Sequence, residues 1–390
     1  MSTLRVNKLE NTNTSNGGIS IDTSGHVSID GQQLPSSGPL SNRNLIINGA
    51  MQVAQRGTQE TGVTTGGYFT SARFESGILS AGTWDISQST DSPSEFSNSF
   101  KYDCTAANSS LSAGSLLYFT QKIEAQNLQH LAYGTADAQD VTFSFYFKTN
   151  KNGVYTVELF QGDSSRSIGF EMNVTQSGWQ RYEFVIPGDT AGTINNDNGI
   201  GFWCFIWLAA GTTFTSGTFT DGAWDTGTAA DRVSSNQVNF ADSTSNECFI
   251  TGVQLEVGEV ATPFEHRSYG EELAKCQRYF ERINYTYDPW TFITVATVPG
   301  TSSAINMVGS IYYETKRTDP TVTSTAANTF RQNGGNVSDN VATSIGFAME
   351  TPKSCRIEVA ATGIFRTSGL SGWISRQSTS TCYIDFDAEV

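Results

Sequence analysis

Two tryptophans and two asparagines have side chains and surroundings suited to holding a sugar. Trp373 follows Gly372 and precedes a polar run, and Trp224 lies among Gly, Ala, Asp and Thr residues. An indole can stack on the apolar face of a sugar ring, and the amides of Asn333 and Asn336 can exchange hydrogen bonds with its hydroxyls. Polar, glycine-rich turns commonly present such side chains for binding. These four residues are the candidate glycan contacts.

An alternative stays open for both tryptophans, because indoles are usually mostly buried. Trp373 would then fill the core of its own β domain, and Trp224 would fold back onto its own sheet or onto a neighbouring subunit. Under the first interpretation, residues 333–336 and 367–373 are the exposed tips of the C-terminal region.

Four acidic residues in a Gly/Thr/Asp-rich stretch have the oxygen ligands that calcium prefers. They are Asp221, Asp225, Asp231 and Asp242. Their spacing follows no fixed ligand pattern, so a solvated acidic loop is favoured and calcium binding stays open. We predict no metal site and no cofactor.

The chain offers few residues for catalysis. Its three histidines, His26, His130 and His266, have no second histidine at ligand spacing, and the common nucleophile and phosphate-binding motifs are missing. Carboxylates are plentiful, so a glycosidase-like acid pair from two strands stays open. We expect no catalytic residue and no enzymatic activity, with a polysaccharide depolymerase as the less favoured alternative.

The six cysteines lack the spacing of a metal or redox motif. They are Cys104, Cys204, Cys248, Cys276, Cys355 and Cys382, and no two of them form a CxxC pair. Most lie in apolar, strand-like runs, where a reduced thiol acts as a small hydrophobe. Reduced, buried cysteines are favoured, and pairing stays open.

The acidic balance of the chain limits its partners. The 390 residues include 23 Lys+Arg and 38 Asp+Glu, for a net charge of −15. Such a surface repels nucleic-acid phosphates and anionic membranes. No run approaches the ~20 apolar residues of a membrane span, and the N-terminus lacks the apolar core of a signal peptide. We therefore expect no nucleic-acid partner, no membrane insertion and no export by the general secretory route.

The elements that must position these residues are strands, which makes all-β the predicted fold class. Aromatic residues make up 12% of the chain and charged residues only 16%, a mixture suited to short strands joined by turns. Strands are predicted at 45–53, 67–76, 82–88, 98–105, 115–124, 140–149, 153–161, 166–174, 179–187, 200–209, 247–257, 291–298, 304–314, 320–323, 342–349, 355–365 and 381–387. Residues 211–246 break the rhythm and are predicted to form a long exposed loop.

The strand pattern and the composition divide the chain into four segments. Residues 1–43 are poor in large apolar groups and form an extended N-terminal arm, which gains order only against copies of itself or a partner. Disorder of this arm stays open as the alternative. Residues 44–268 have the strand spacing of a jelly-roll sandwich. Residues 269–284 contain one short connecting helix, and residues 285–390 form a smaller C-terminal β domain.

The helix is predicted over residues 270–282. Its acidic residues come first and its arginines last, which complements the helix dipole. An apolar stripe is expected along one face, at Leu273, Cys276, Gln277 and Phe280.

Two runs of the sequence carry a family resemblance. They are NLIINGAMQVAQRG (44–57) and FITGVQLEVGEVATPFEHRSYG (249–270). Together they resemble the two ends of the jelly-roll domain in tail-fibre and receptor-binding proteins of tailed bacteriophages, especially marine and cyanobacterial ones. The resemblance covers residues 44–282 and fades after residue 285. It implies a jelly-roll like that of carbohydrate-binding modules and a homotrimer, and it brings no catalytic residues.

The resemblance implies a virion structural protein. The expected role is a trimeric tail fibre, assembled in the host cytoplasm and located in the virion tail, that attaches to the host cell surface by binding glycan. The N-terminal arm would dock onto other tail or virion proteins. The C-terminal region, which departs most from the family, would contact surface polysaccharide or lipopolysaccharide. An architectural collar, baseplate or head fibre without receptor binding is the alternative hypothesis.

Overall fold

The protein consists mainly of β-strands, which confirms the predicted fold class. The computed structural model describes residues 8–10, 18–21, 23, 27–29, 32–33, 41–285, 292–297, 306–334, 337–361, 371–376 and 382–389. It divides into two compact units, Met1–Tyr269 and Gly270–Val390.

The described part of the N-terminal arm is a small antiparallel sheet in the order β1-β2-β3-β4. Its strands are β1 Lys8–Glu10, β2 Gly18–Ile21, β3 Val27–Ile29 and β4 Gln32–Gln33. Opposed residues in neighbouring antiparallel strands project from the same face. Leu9 pairs with Ile19, Ile19 with Ile29, and Ile21 with Val27, so all five lie on one face of the sheet.

This apolar face is open to solvent. Leu9 is 52% exposed, Ile19 41%, and Ile21 and Ile29 43% each. Ser20 and Ser28 pair with each other on the opposite face, which is polar. The sheet is therefore amphipathic, although it is too small to enclose a core.

The rest of the first unit is a jelly-roll sandwich. Its strands are β5 Gln59–Tyr68, β6 Glu75–Ser89, β7 Ser99–Ala106, β8 Leu116–Glu124, β9 Val141–Thr149, β10 Gly153–Gln161, β11 Arg166–Val174, β12 Gln180–Ile186, β13 Ile200–Ala210, β14 Asp225–Thr226 and β15 Glu247–Val257. Its helices are the short α1, Thr212–Thr215, and two 3-10 turns, Ala125–Leu131 and Ala229–Asp231.

Strand β6 connects the two layers of the sandwich. Residues 75–79 pair with β8, whereas residues 83–89 pair with β7. The strand changes partner where Ser80 and Gly82 have φ values of 47° and 85°. A Cβ at Gly82 would lie 2.5 Å from the carbonyl oxygen of Ala106, so only glycine fits there. One layer is thus β12-β9-β15-β7-β6 and the other is β6-β8-β13-β10-β11-β14.

Aromatic rings fill the space between the layers. Phe147 in β9 and Tyr155 in β10 lie 5.3 Å apart between ring centroids, although their strands are not paired. Phe100 in β7 lies 5.1 Å from Phe119 in β8. The alternation of β9, in which Phe143, Phe145 and Phe147 are separated by single residues, supplies this inner face.

The two runs that carry the family resemblance meet in space. Asn44 accepts hydrogen bonds at Oδ1 from the backbone of Ile46 and Leu255, at 2.9 and 3.1 Å. Leu45 donates its N–H to the carbonyl of Leu255 at 2.8 Å. Arg267 donates to the carbonyl of Asn44 and, at 3.1 Å, to that of Ile46. The prediction of a strand over 45–53 is wrong, because these long-range bonds hold the segment in an irregular conformation.

Residues 211–246 also differ from the prediction, because they pack against the sandwich instead of forming a long exposed loop. Val233 is fully buried against the outward-facing Phe205 and Trp207 of β13. Gln237 accepts a hydrogen bond from the backbone of Thr156 in β10 at 2.7 Å. The loop covers aromatic side chains that would otherwise lie exposed on the outer face of the sheet.

The second unit contains helix α2, a three-stranded sheet and a closed barrel. The sheet, in the order β16-β24-β19, and the barrel, in the order β17-β18-β22-β21-β20-β23, account for its strands. The bounds are α2 Tyr269–Gln277, β16 Phe280–Asn284, β17 Phe292–Thr297, β18 Asn306–Tyr312, β19 Thr321–Ser324, β20 Phe330–Gly334, β21 Val337–Ala348, β22 Ser354–Ala361, β23 Ser371–Arg376 and β24 Tyr383–Asp387. A 3-10 turn spans Ala327–Thr329.

The helix is shorter than predicted. It ends at Gln277, and the expected last turn is instead strand β16, which pairs with β24. Arg282 forms two hydrogen bonds with the carboxylate of Asp385 in β24, both at 2.7 Å. Phe280 is buried as a strand residue, so it does not belong to the helical stripe, which ends with the helix at Gln277. Pairing with a distant strand outweighs the local helical preference here.

In the described part of the chain, no helix is both long enough and apolar enough to cross a membrane.

Candidate functional site

Trp373 projects outward from the barrel. It lies within strand β23, which pairs with β17 on one side and with β20 on the other, and not in a loop as predicted. Its neighbours Gly372 and Ile374 are buried, whereas Trp373 is 39% exposed. This alternation places the indole on the outer face, so Trp373 does not fill the barrel core.

Asn333 lies beside Trp373, but it is buried. The two are opposed residues in β20 and β23, so the structure brings two of the candidate contacts together. Asn333 is only 2% exposed, and its amide donates a hydrogen bond to the hydroxyl of Ser375. The prediction that Asn333 lies at an exposed tip is therefore wrong, because Asn333 belongs to strand β20 and its side chain is held against Ser375 of β23. Asn336 and most of the second predicted tip, 367–373, lie outside the described residues.

An open groove of about 660 Å³ lies where β17 and β18 separate. The two strands pair at Ala296–Gly309 and Thr297–Val308. Beyond that point, the hydroxyl of Thr294 donates to the carbonyl of Ser310 at 2.7 Å. We call this feature the β17–β18 groove; its lining includes Tyr285, Ile293, Thr294, Thr297, Ser310 and Tyr312.

The groove has an uncharged lining of rings, aliphatic groups and hydroxyls. Among the described residues that line it, none is charged. Tyr312 stands at the rim with 76% of its surface exposed, whereas Tyr285 is buried at 8% exposure. Burial raises the pKa of Tyr285, so its phenol stays neutral at physiological pH. A neutral ligand with both apolar and hydroxyl surfaces would match this lining.

Tyr312 was not among the site residues expected from the sequence. The strand prediction at 304–314 covered it, and the alternation with Met307 and Ile311, both buried, indicates that Tyr312 points outward. Alternation gives the direction of a side chain but not the presence of a groove beside it, since that depends on the separation of two strands.

Trp224 makes its contacts within the first unit. Its indole N–H donates to the carbonyl of Pro187 at 2.6 Å, and its ring packs edge-on against Tyr133 at 6.0 Å. The side chain is half-buried against the sandwich core. This arrangement corresponds to the alternative in which the indole folds back onto its own sheet.

The outer face of the sandwich has an aromatic surface that is covered by another segment of the same chain. The guanidinium of Arg232 lies 4.7, 5.0 and 5.4 Å from the ring centroids of Phe160, Phe205 and Trp207. It also pairs with the buried carboxylate of Glu158. The loop at 211–246 therefore covers these rings with its own side chains.

The acidic residues considered for calcium bind different partners within the chain. The carboxylate of Asp221 accepts the N–H of Glu171 at 2.8 Å, and that of Asp231 accepts the N–H of Thr218 at 2.6 Å. Asp242 pairs with Lys151 at 2.6 Å. Among the residues that the structure describes, no three His, Cys, Asp or Glu side chains are grouped to hold a metal ion.

All six cysteines are buried free thiols. Burial raises the pKa of Cys355 to about 12 and that of Cys382 to about 11. It also raises the pKa of Cys104, Cys204 and Cys248. At physiological pH these thiols remain protonated and are poor nucleophiles.

Comparisons with known proteins concern the fold. No protein-family model and no curated protein matches the chain. A carbohydrate-binding module of the CBM4 type is similar in structure at 12% identity, with 45% of this chain and 87% of that chain covered and a TM-score of 0.25. TmCBM61, solved with β-1,4-galactotriose, is similar at 10% identity, with 56% and 100% covered and a TM-score of 0.27.

A third similar structure is a putative sugar binding protein from Bacteroides thetaiotaomicron. It is 12% identical, with 55% of this chain and 100% of that chain covered, at a TM-score of 0.29. At these TM-scores the similarities carry no inference about what this chain binds. The assignment of a jelly-roll rests on the strand order and on the two-layer core of the molecule itself.

Proposed function

We propose that this chain is a structural attachment protein of a bacteriophage virion, a tail fibre that binds host-surface glycan through its C-terminal barrel. The observation that carries the proposal is the outward-facing indole of Trp373, set in a strand whose other described side chains are largely buried. A rigid barrel holds the ring in place, so little conformational entropy is lost when a sugar stacks on it. The resemblance of residues 44–282 to phage tail-fibre proteins supports the same role.

Substitution of Trp373 tests the barrel as the attachment site. Trp373→Ala should lower the binding of labelled protein to host cells by about tenfold or more, since a stacked ring is lost, and it should change the melting temperature little. Trp373→Phe should retain part of the binding. Leu79→Ala, which removes a side chain that is 52% exposed on the sandwich, is the matched control. Unchanged cell binding by Trp373→Ala would favour the architectural alternative, a collar, baseplate or head fibre without a receptor.

We further propose that the chain functions as a homotrimer. The apolar face of the N-terminal sheet, formed by Leu9, Ile19, Ile21, Val27 and Ile29, supports self-association. Three copies of a small amphipathic sheet can bury their apolar faces against one another and form a shared core that one copy lacks. Association of this kind would occur without a change in the jelly-roll.

The same arm is proposed to attach the fibre to other tail or virion proteins. Strands β1 and β4 are the edges of the N-terminal sheet, and edge strands can pair with a partner's backbone. Deletion of residues 1–43 should leave a soluble, folded chain that is missing from particles. Normal incorporation of the shortened chain would contradict the docking role.

The chain is proposed to bind polysaccharide without cleaving it. Two of its buried carboxylates, Glu158 and Asp189, are paired with Arg232 and Arg166 of the same chain, which favours a structural role for them. Incubation of the purified protein with host polysaccharide should yield no shorter oligosaccharides. The appearance of shortened chains would support the depolymerase alternative.

A further inference from the structure

The β17–β18 groove lies on the same outer surface of the barrel as Trp373. Strand β17 pairs with β18 along one edge and with β23 along the other, and its residue Val295 is opposed to Trp373. The three strands are therefore adjacent, in the order β18-β17-β23. A single strand separates the rim of the groove from the exposed indole.

The two aromatic side chains on this surface face outward. In β18, Met307 and Ile311 are buried and Tyr312 is 76% exposed, whereas in β23 Gly372 and Ile374 are buried and Trp373 is 39% exposed. Two strand spacings and a shift of about two residues put the Cα atoms of Trp373 and Tyr312 on the order of 12 Å apart. That separation corresponds to a short oligosaccharide and exceeds a single sugar ring.

The surface between the rings can exchange hydrogen bonds with a polyol. Thr297 and Ser310 are exposed, both line the groove, and each carries a side-chain hydroxyl. A hydroxyl both donates and accepts, as do the hydroxyls of a sugar. The described lining carries no charge, although the chain as a whole has a net charge of −15. A neutral ligand does not need a charged partner, so the lack of charge in the lining does not weaken its binding.

We propose that the β17–β18 groove is a second subsite for the same glycan that stacks on Trp373, with Tyr312 as its aromatic platform and Thr297 and Ser310 as hydrogen-bonding groups. The ligand class is a neutral oligosaccharide long enough to reach from β23 to β18. This inference rests on the proposed glycan-binding function. It adds to that function a length requirement and a preference for uncharged sugars.

The test measures binding of the full chain to a panel of neutral oligosaccharides of graded length and to their carboxylated counterparts. The unsubstituted chain should bind the long neutral members most tightly. Tyr312→Ala should weaken binding of the long members by about tenfold and leave the short members, which reach only Trp373, unchanged. Thr297→Val, which removes a hydroxyl and keeps the shape, should weaken the long members by about threefold.

Controls separate the subsite from the function itself. Tyr269→Ala removes another exposed tyrosine, 57% exposed, and should change nothing. If Trp373→Ala abolishes binding while Tyr312→Ala and Thr297→Val leave every length unchanged, the groove is not a subsite and glycan binding stands. Tighter binding of the carboxylated members would overturn the neutral ligand class. If the unsubstituted chain binds no member of the panel, glycan binding fails, and the subsite fails with it.

Discussion

The carboxylate of Glu158 and the guanidinium of Arg232 form a two-pronged ion pair, with N···O distances of 2.6 and 3.0 Å. Glu158 projects from strand β10 and its side chain is fully buried, whereas Arg232 belongs to the loop at 211–246 and is 15% exposed. The carboxylate also accepts the indole N–H of Trp207 at 2.8 Å. This pair joins the loop to the sheet.

Loss of the arginine should therefore destabilise the sandwich. Arg232→Ala leaves a buried carboxylate without its cation, which should lower the free energy of unfolding by about 3 kcal/mol. Chemical denaturation followed by fluorescence measures the change. Lys148→Ala, which breaks a more exposed pair with Asp91, is the control and should cost less than about 1 kcal/mol. Equal effects of the two substitutions would contradict a special role for the loop contact.

Gly49 should tolerate no side chain. A Cβ at this position would lie 2.1 Å from the carbonyl oxygen of Val253, and the backbone there cannot move without breaking the contact between the two runs that carry the family resemblance. Gly49→Ala is expected to lower the free energy of unfolding by about 3 kcal/mol. Gly114→Ala, where a Cβ would meet nothing within 4 Å, should leave it nearly unchanged. Thermal melting of the two variants gives the comparison.

Polar substitutions on the apolar face of the N-terminal sheet should dissociate the proposed trimer. Ile19→Ser combined with Ile29→Ser replaces two opposed residues on that face and weakens its burial. Light scattering should give three times the chain mass of 42.2 kDa for the unsubstituted protein and a lower mass for the double variant. Ser20→Ala, on the polar face, is the control. A stable monomer before any substitution would rule out the trimer.

Asp189 should contribute to the acid sensitivity of the sandwich. Burial by itself raises the pKa of the Asp189 carboxyl, but hydrogen bonds from Arg166 and from the backbone of Ala191 outweigh it, and the pKa ends below its ordinary value. The unfolded-state pKa is about 3.9. The carboxylate therefore stabilises the fold above that pH, and the contribution is lost as the pH falls through the folded-state pKa.

The corresponding experiment compares Asp189→Asn with the unsubstituted chain across the acid range. The difference in unfolding free energy between the two proteins should be largest near neutral pH and should shrink below about pH 4, where the carboxylate of the unsubstituted protein takes up a proton. A difference that stays constant from neutral to acid pH would show that the charge of Asp189 adds nothing.

The six thiols should resist modification while the protein is folded. All are buried, and for Cys104, Cys204, Cys248, Cys355 and Cys382 burial also raises the pKa, which suppresses the reactive thiolate. A colorimetric thiol reagent should react with none of them in buffer and with all six in denaturant. Rapid reaction of any thiol in the folded protein would indicate local opening of its strand.

The sandwich strands could be predicted closely wherever local pattern decides the outcome. Strands β10 and β15 occupy the predicted segments 153–161 and 247–257. Alternating apolar residues and flanking turn signals are properties of the local sequence, so strands that depend on them form where they are predicted.

The wrong predictions share one physical cause, which is hydrogen bonding or strand pairing with residues distant in the sequence. The segment at 45–53 has an apolar, strand-like sequence, but Leu45 bonds to Leu255 and the carbonyl of Ile46 accepts a hydrogen bond from Arg267. Asn333 lies in a glycine-rich, turn-like stretch, yet it pairs with Trp373 across two strands. Composition predicted an exposed position for Asn333, whereas the hydrogen bond to Ser375 of the neighbouring strand holds its side chain in a buried position.

The candidate site was predicted only in part. Trp373 was identified from its surroundings, and the structure exposes it. Tyr312 was missed because the β17–β18 groove beside it comes from the separation of two barrel strands, which no local pattern encodes. Exposure of a strand residue follows from alternation, whereas the shape of the surface around it depends on the register of its neighbours.

The contact between Asn44 and Arg267 has a mechanical consequence for a chain under tension. Force applied along the polypeptide on either side of the sandwich enters near Asn44 and leaves near Arg267, and hydrogen bonds join these two points directly. The hydrogen bonds between Asn44 and Arg267 therefore carry the load. The strands between these two residues bear no force until the hydrogen bonds break. A pull along the chain would therefore leave the jelly-roll unstretched until these hydrogen bonds break.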